Sequence, residues 1–154
     1  MRLSASTLSR LPDTVRKPRY SRADVQRGVV HLGIGGFHRA HQAVVFDDAL
    51  EAGDLRWGVC GSSLRSGDVA KQLEPQNGLY TVLERNGDTE TARIVGAVQS
   101  VLVAPESPST LIEAMAAPSV HVVTLTITEK GYLIDPATGD LLFDEPAVVH
   151  DRQF

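Results

Sequence analysis

The glycine-rich run Gly33-Ile34-Gly35-Gly36-Phe37-His38 follows directly on the short apolar run Gly28-Val29-Val30-His31-Leu32, and this junction restricts the fold more than anything else in the chain. Short apolar runs bounded by turn residues read as strands buried on both faces. Beyond the glycines, Ala40, Val44, Val45, Ala49 and Leu50 recur at helical spacing, and Gly53 supplies a stop. Trp57-Gly58-Val59-Cys60-Gly61 then reads as a second strand, closing a βαβ unit of about 30 residues. The expected class is α/β, with a Rossmann-like, mostly parallel, doubly wound sheet.

Further along, the pattern changes. Leu79 to Glu84 and Ala92 to Val95 flank Asn86-Gly87-Asp88, and an Asn-Gly pair between apolar runs predicts a hairpin inserted into the basic fold. Ser109 to Ala117 reads as a helix ended by Pro118, and Val120 to Thr126 as a β-rich run suited to a central strand. Asp135 to Asp140 has turn chemistry.

The glycine turn sits where a dinucleotide-binding fold places its pyrophosphate site. Glycine lets the backbone approach phosphates closely, and the helix N-terminus beyond favours an anion. The third glycine of the usual G-x-G-x-x-G pattern is replaced by His38, so on these residues alone a purely structural turn is an equal reading. His38 and His41, three apart, suit a metal in principle, but no third ligand is evident nearby and no metal is expected.

Composition narrows the classes. The chain has 154 residues, enough for one domain with a core. Its formal net charge of -4 gives no reason to expect nucleic acid, and no apolar run is long enough to span a membrane. Residues 1–27 carry Arg16, Lys17, Arg19, Arg22 and Arg27 among prolines and are expected to form a solvated lead-in segment. The domain proper is expected over 28–154. The single cysteine, Cys60, reads as a buried thiol, consistent with a reducing cytoplasm.

Read together with Phe37-His38-Arg39-Ala40-His41-Gln42-Ala43, the glycine turn resembles the N-terminal signature of the mannitol dehydrogenase family of long-chain polyol and hexonate dehydrogenases. Trp57 to Gly61, Leu79 to Glu84 and Thr124 to Tyr132 are similar to family segments in the same order, so the resemblance covers roughly Tyr20 to Asp151.

The resemblance implies a nicotinamide-dependent oxidoreductase that passes hydride between the cofactor and a polyol or sugar acid, of the mannitol/fructose or mannonate/fructuronate type. It also implies that the catalytic lysine, with asparagine and histidine partners, belongs to a helical C-terminal domain absent from this chain. The sheet is then incomplete, no catalytic residue is assigned here, and the chain alone is expected to be inactive. The expected cofactor-binding set is Gly33, Ile34, Gly35, Gly36, Phe37, His38, Arg39, Arg65, Asp68, Thr126 and Glu129. The resemblance makes Asp68 the cofactor-selecting carboxylate, which favours NAD; Arg65 keeps NADP open, since a guanidinium pairs with a 2′-phosphate. Asp68 also reads as a helix N-cap before Val69. The competing function is a stand-alone, non-catalytic nucleotide-binding or regulatory module.

Overall fold

A computed structural model describes residues 2–127 and 129–153, with the side chains of Glu129 and Lys130 outside the description. Six strands and five α-helices follow one another along the described residues. Strand β1 (Arg27–Leu32) leads through the glycine turn into α1 (Gly36–Ala40) and α2 (Gln42–Glu51), and β2 (Gly58–Ser63) follows. Next come α3 (Asp68–Leu73), the hairpin β3 (Tyr80–Asn86) and β4 (Thr89–Val95), β5 (Val98–Val103) and α4 (Pro108–Met115). Strand β6 (Val122–Leu125) and α5 (Pro146–Asp151) complete the set.

Four strands form one all-parallel sheet in the order β5-β2-β1-β6, and β3 and β4 pair antiparallel as a separate ribbon. The chain therefore steps outward from β1 through β2 to β5 and then crosses back to lay β6 on the other side of β1. That reversal puts a topological switch point between β1 and β6, at the carboxyl ends of the strands, where open α/β sheets form their binding crevice.

Alternation along the strands sends side chains to two cores. Val29, Val59 and Val98 are fully buried on one face with Ala43, Leu50 and Leu73, beneath α2, α3 and the hairpin. Val30 and Cys60 point the other way, against Leu111 and Ala114 of α4. This second face is thinly covered, and Val123 and Leu125, in register with Val30 and Leu32, stay exposed.

The first strand, the second strand, the hairpin and α4 lie where the sequence predicts them. Three expectations need correction. Strand β6 is an edge strand of the described sheet, with only β1 beside it. The predicted helix after the glycines is interrupted at His41, whose ψ of -78° separates α1 from α2. The lead-in segment is docked rather than solvated, because its basic side chains find acceptors on the domain. Arg16 reaches Asp48 at 2.7 Å, Arg19 reaches Glu51 at 2.9 Å, and Arg22 donates to the carbonyls of Gly96, Asn77 and Val98. Arg16 also exchanges backbone hydrogen bonds with Ala92 and Ile94.

The anchor of this docking is Asp47 on α2, 1% exposed. Its carboxylate accepts hydrogen bonds from the Tyr20 hydroxyl (2.5 Å), Arg93 Nη2 (2.7 Å) and the Gly96 N–H (2.8 Å). Both carboxylate oxygens are thus satisfied, as a buried charge requires. Burial first, and then Asp47, push the Tyr20 phenol well above its ordinary pKa.

Candidate functional site

The glycine turn hangs from the end of β2. Gly33 and Ile34 both donate their N–H groups to the Ser62 carbonyl, at 2.9 and 3.0 Å, and Gly35 donates to the Gly33 carbonyl. Gly33 has φ of +95°, a conformation that L side chains rarely adopt. Ile34, 2% exposed, turns inward over Gly61, where an added Cβ would come within 2.0 Å of Ile34 Cδ1. The turn therefore rests on a packed floor.

Above that floor the situation reverses. Gly35, the N-cap residue of α1, has φ of -80°, and a Cβ there would meet only the Gly33 carbonyl at 3.7 Å. At Gly36, the first helical residue, a Cβ would meet nothing within 4 Å. Neither local conformation nor internal packing asks for glycine at these two positions. No side chain caps the helix, so the first-turn donors of Gly36, Phe37 and His38 lack a capping acceptor and, with the helix dipole, favour an anion.

A cleft of about 260 Å³ opens beside the turn, lined by Gly33, Ile34 and Gly35 and, from the loop after β2, by Ser63, Leu64, Arg65, Ser66 and Val69. Of the expected selectivity pair, Arg65 lies in this lining. Asp68 does not: it is the first residue of α3, with Gly67 at the N-cap position, and its Oδ2 accepts the Ser66 hydroxyl at 2.9 Å. A second cleft of about 350 Å³ on the other side of α1 is lined by Gly36, Arg39 and Ala40 against Tyr80 to Leu83 of β3. There the Tyr80 hydroxyl donates to the Arg39 carbonyl at 2.8 Å, and burial raises its pKa above the ordinary phenol value. A larger cleft, about 500 Å³, lies between the lead-in segment, α3 and β5 and shares no residue with the turn. The size of that cleft is unaccompanied by any of the anion-binding features above, so the smaller cleft at the strand ends is the better candidate.

Thr126, exposed just beyond β6, donates its N–H toward the Leu32 carbonyl at 3.4 Å. Glu129 begins a 3-10 turn (Glu129–Tyr132), and its side chain lies outside the described residues. Phe37 is 59% exposed and edge-on to His41.

Two members of the expected set have buried side chains. Ile34 plugs the floor, and His38 is fully buried, because in this short helix its position faces the sheet. His38 and His41 consequently share no side of the helix, and among the described residues no group of three His, Cys, Asp or Glu is placed to hold a metal. His38 stacks instead on His31 of β1, with ring centroids 3.6 Å apart and planes 11° from parallel. Burial, reinforced by His38, pushes the His31 pKa down to about 4 against the help of the Gly33 carbonyl. Burial also lowers that of His38, with Gln42 opposing and Arg39 adding. Sequence reasoning missed His31, Ser63, Ser66 and Tyr80. The polar His31 inside an otherwise apolar strand is the signal that points to the first of these.

Comparison with known proteins matches this arrangement. A model of the mannitol dehydrogenase Rossmann domain aligns with residues 27–152. The chain belongs to the mannitol dehydrogenase family. It is 50% identical over 145 residues to the uncharacterized oxidoreductase YeiQ of Escherichia coli K12, spanning 93% of this chain and 30% of that protein. It is 40% identical over 154 residues to a mannitol 2-dehydrogenase of Pyrenophora tritici-repentis, spanning 98% and 27%. Its fold superposes on the Pseudomonas fluorescens mannitol 2-dehydrogenase, solved as a ternary complex with NAD and D-mannitol, with a TM-score of 0.85 at 40% identity. That match covers 98% of this chain and 32% of the other. The chain thus spans about 30% of the length of the relatives it matches. The family resemblance and the Rossmann-like class expected from the sequence both hold.

Proposed function

We propose that this chain is the NAD-binding domain of an oxidoreductase that transfers hydride between the nicotinamide and a polyol or sugar acid. The observation that carries the reading is the pair Gly35 and Gly36, whose missing side chains serve no need of the fold and leave open space over uncapped helix donors. A pyrophosphate fits that space: it is anionic, and it needs backbone to come close. The NAD of the Pseudomonas fluorescens relative and the position of the turn at the sheet's switch point support the same assignment.

In this reading the amides of Gly36 and Phe37 hold the pyrophosphate, and Gly33 keeps the turn tight. The cleft between Gly35 and Ser63 to Val69 takes the adenosine half. Asp68, outside the lining but hydrogen-bonded to its Ser66, is the carboxylate taken to disfavour a 2′-phosphate by charge, so NAD is preferred over NADP; Arg65 is the group that would soften this preference. The bound nicotinamide supplies the hydride acceptor or donor. Thr126 and Glu129, which follow β6 in the chain, are assigned in this reading to the nicotinamide half. No residue of this chain is assigned as the base that exchanges the hydroxyl proton, and the chain alone is proposed to bind cofactor without turnover.

Calorimetric titration of the 154-residue chain with NAD and with NADP tests this. Saturable heat with NAD, and weaker or absent heat with NADP, is expected. A folded sample that binds neither overturns the assignment.

A further inference from the structure

The stacked histidines beneath the turn have a chemistry that packing alone does not explain. His31 and His38 are both fully buried, and every polar atom they bring inside costs free energy unless it is bonded. His31 puts its two nitrogens to use on three residues of two segments. Nε2 lies 3.3 Å from the Gly33 carbonyl and 3.3 Å from Thr126 Oγ1, and Nδ1 lies 2.8 Å from Thr124 Oγ1. A carbonyl only accepts, so Nε2 carries the proton and Nδ1 accepts from the Thr124 hydroxyl. On His38, Nδ1 lies 3.0 Å from Gln42 Oε1. An amide oxygen also only accepts, so Nδ1 carries the proton there and Nε2 presents a bare lone pair, with no hydrogen-bond partner among the described residues.

We propose that His31 and His38 are positioning residues for the cofactor-binding turn: two neutral rings that tie the Gly33 carbonyl, the end of β6 and α1 into one rigid unit. The proposal rests on the reading of the turn as the NAD site. Three observations carry it. The turn's own hydrogen bonds run to Ser62 on β2, so His31 supplies its link to β6 across the switch point. The stack holds α1, whose first-turn amides are the anion donors, at a fixed height over β1. Finally, the surroundings demand neutrality. Strand β2 presents Gly61 and strand β6 presents Thr124 to His31, both uncharged. The one charged group acting on the pair among the described residues is Arg39, a cation. A proton on His38 Nε2 would find no acceptor among the described residues, and a proton on either ring would face the other at 3.6 Å.

The test compares His31→Leu, which fills the space, with His31→Gln, whose amide N–H can still donate to the Gly33 carbonyl. Unfolding in urea is measured alongside NAD affinity. For folded protein, His31→Leu is expected to bind NAD at least tenfold more weakly, and His31→Gln to recover most of that loss. A merely structural histidine would alter stability in both variants without separating their affinities. NAD affinity of His31→Leu within twofold of the unsubstituted chain would overturn the proposal. Should His31→Leu fail to fold, long-range nitrogen–proton NMR of the unsubstituted chain decides the matter. A neutral Nε2–H ring at position 31 and a neutral Nδ1–H ring at position 38, unchanged down to pH 6, are expected; an imidazolium or the opposite tautomer at either position overturns it. Failure of the unsubstituted chain to bind NAD would sink the cofactor reading as well, and is distinguishable because no variant is involved.

Discussion

The glycines of the sheet and the glycines of the turn look alike in the sequence and answer to different requirements. A Cβ on Gly28 would lie 1.9 Å from the Arg56 carbonyl oxygen, one on Gly58 2.6 Å from the Gln26 carbonyl oxygen, and one on Gly61 2.0 Å from Ile34. At Gly35 and Gly36 the corresponding space is open. The first set is required by close packing of the chain on itself; the second is free for something outside it. Substitution in the first set should therefore cost stability, whereas substitution in the second should cost binding without loss of stability.

Gly28→Ala is the harshest way to press the difference. Its obstacle is backbone, which cannot rotate aside, so a loss of about 3 kcal/mol is expected, at the upper end for overpacking, measured by urea unfolding. Gly61→Ala meets a side chain that can partly yield, and should cost roughly 1–3 kcal/mol. Because Ile34 sits directly under the turn, this variant is also expected to weaken NAD binding. Gly36→Ala runs the other way. With no obstacle and a helical backbone, it should gain about 0.5–1 kcal/mol of stability while NAD affinity falls at least tenfold; equal affinity would remove the main support for the site. As a baseline, Arg85→Ala at the hairpin tip breaks an ion pair between two largely exposed side chains and should change stability by less than about 0.5 kcal/mol, with no effect on binding.

Much of this was legible in the residues. The βαβ unit and the hairpin rest on local signals, a glycine cluster after an apolar run and Asn86-Gly87 between two others, which need no distant partner to be read. Strand β5 was not legible. It follows β4 after only Gly96 and Ala97, so one apolar stretch holds both an antiparallel and a parallel strand. The pivot is Gly96, whose N–H is held by Asp47 and whose added Cβ would meet Pro18 and Tyr20 at 2.8 Å. The docking of the lead-in segment escaped for a related reason. Arg16, Arg19 and Tyr20 look like a solvated run until α2 brings Asp48, Glu51 and Asp47 beside them, a contact set by tertiary geometry. In the candidate site, the glycine turn between β1 and α1 and the loop carrying Arg65 after β2 were legible because turn position is a sequence property. The inward turn of His38 was missed, since helical spacing gave no sign that α1 breaks at His41.

Mapping the backbone amides of the 154-residue chain by NMR during titration with NAD addresses the central claim directly. The largest shifts are expected at Gly35 to Arg39 and at Ser63 to Ser66, with little change at Ala5, Asn77 and Gln99 of the larger cleft. Shifts concentrated at that larger cleft, with Gly36 and Phe37 unmoved, would contradict it.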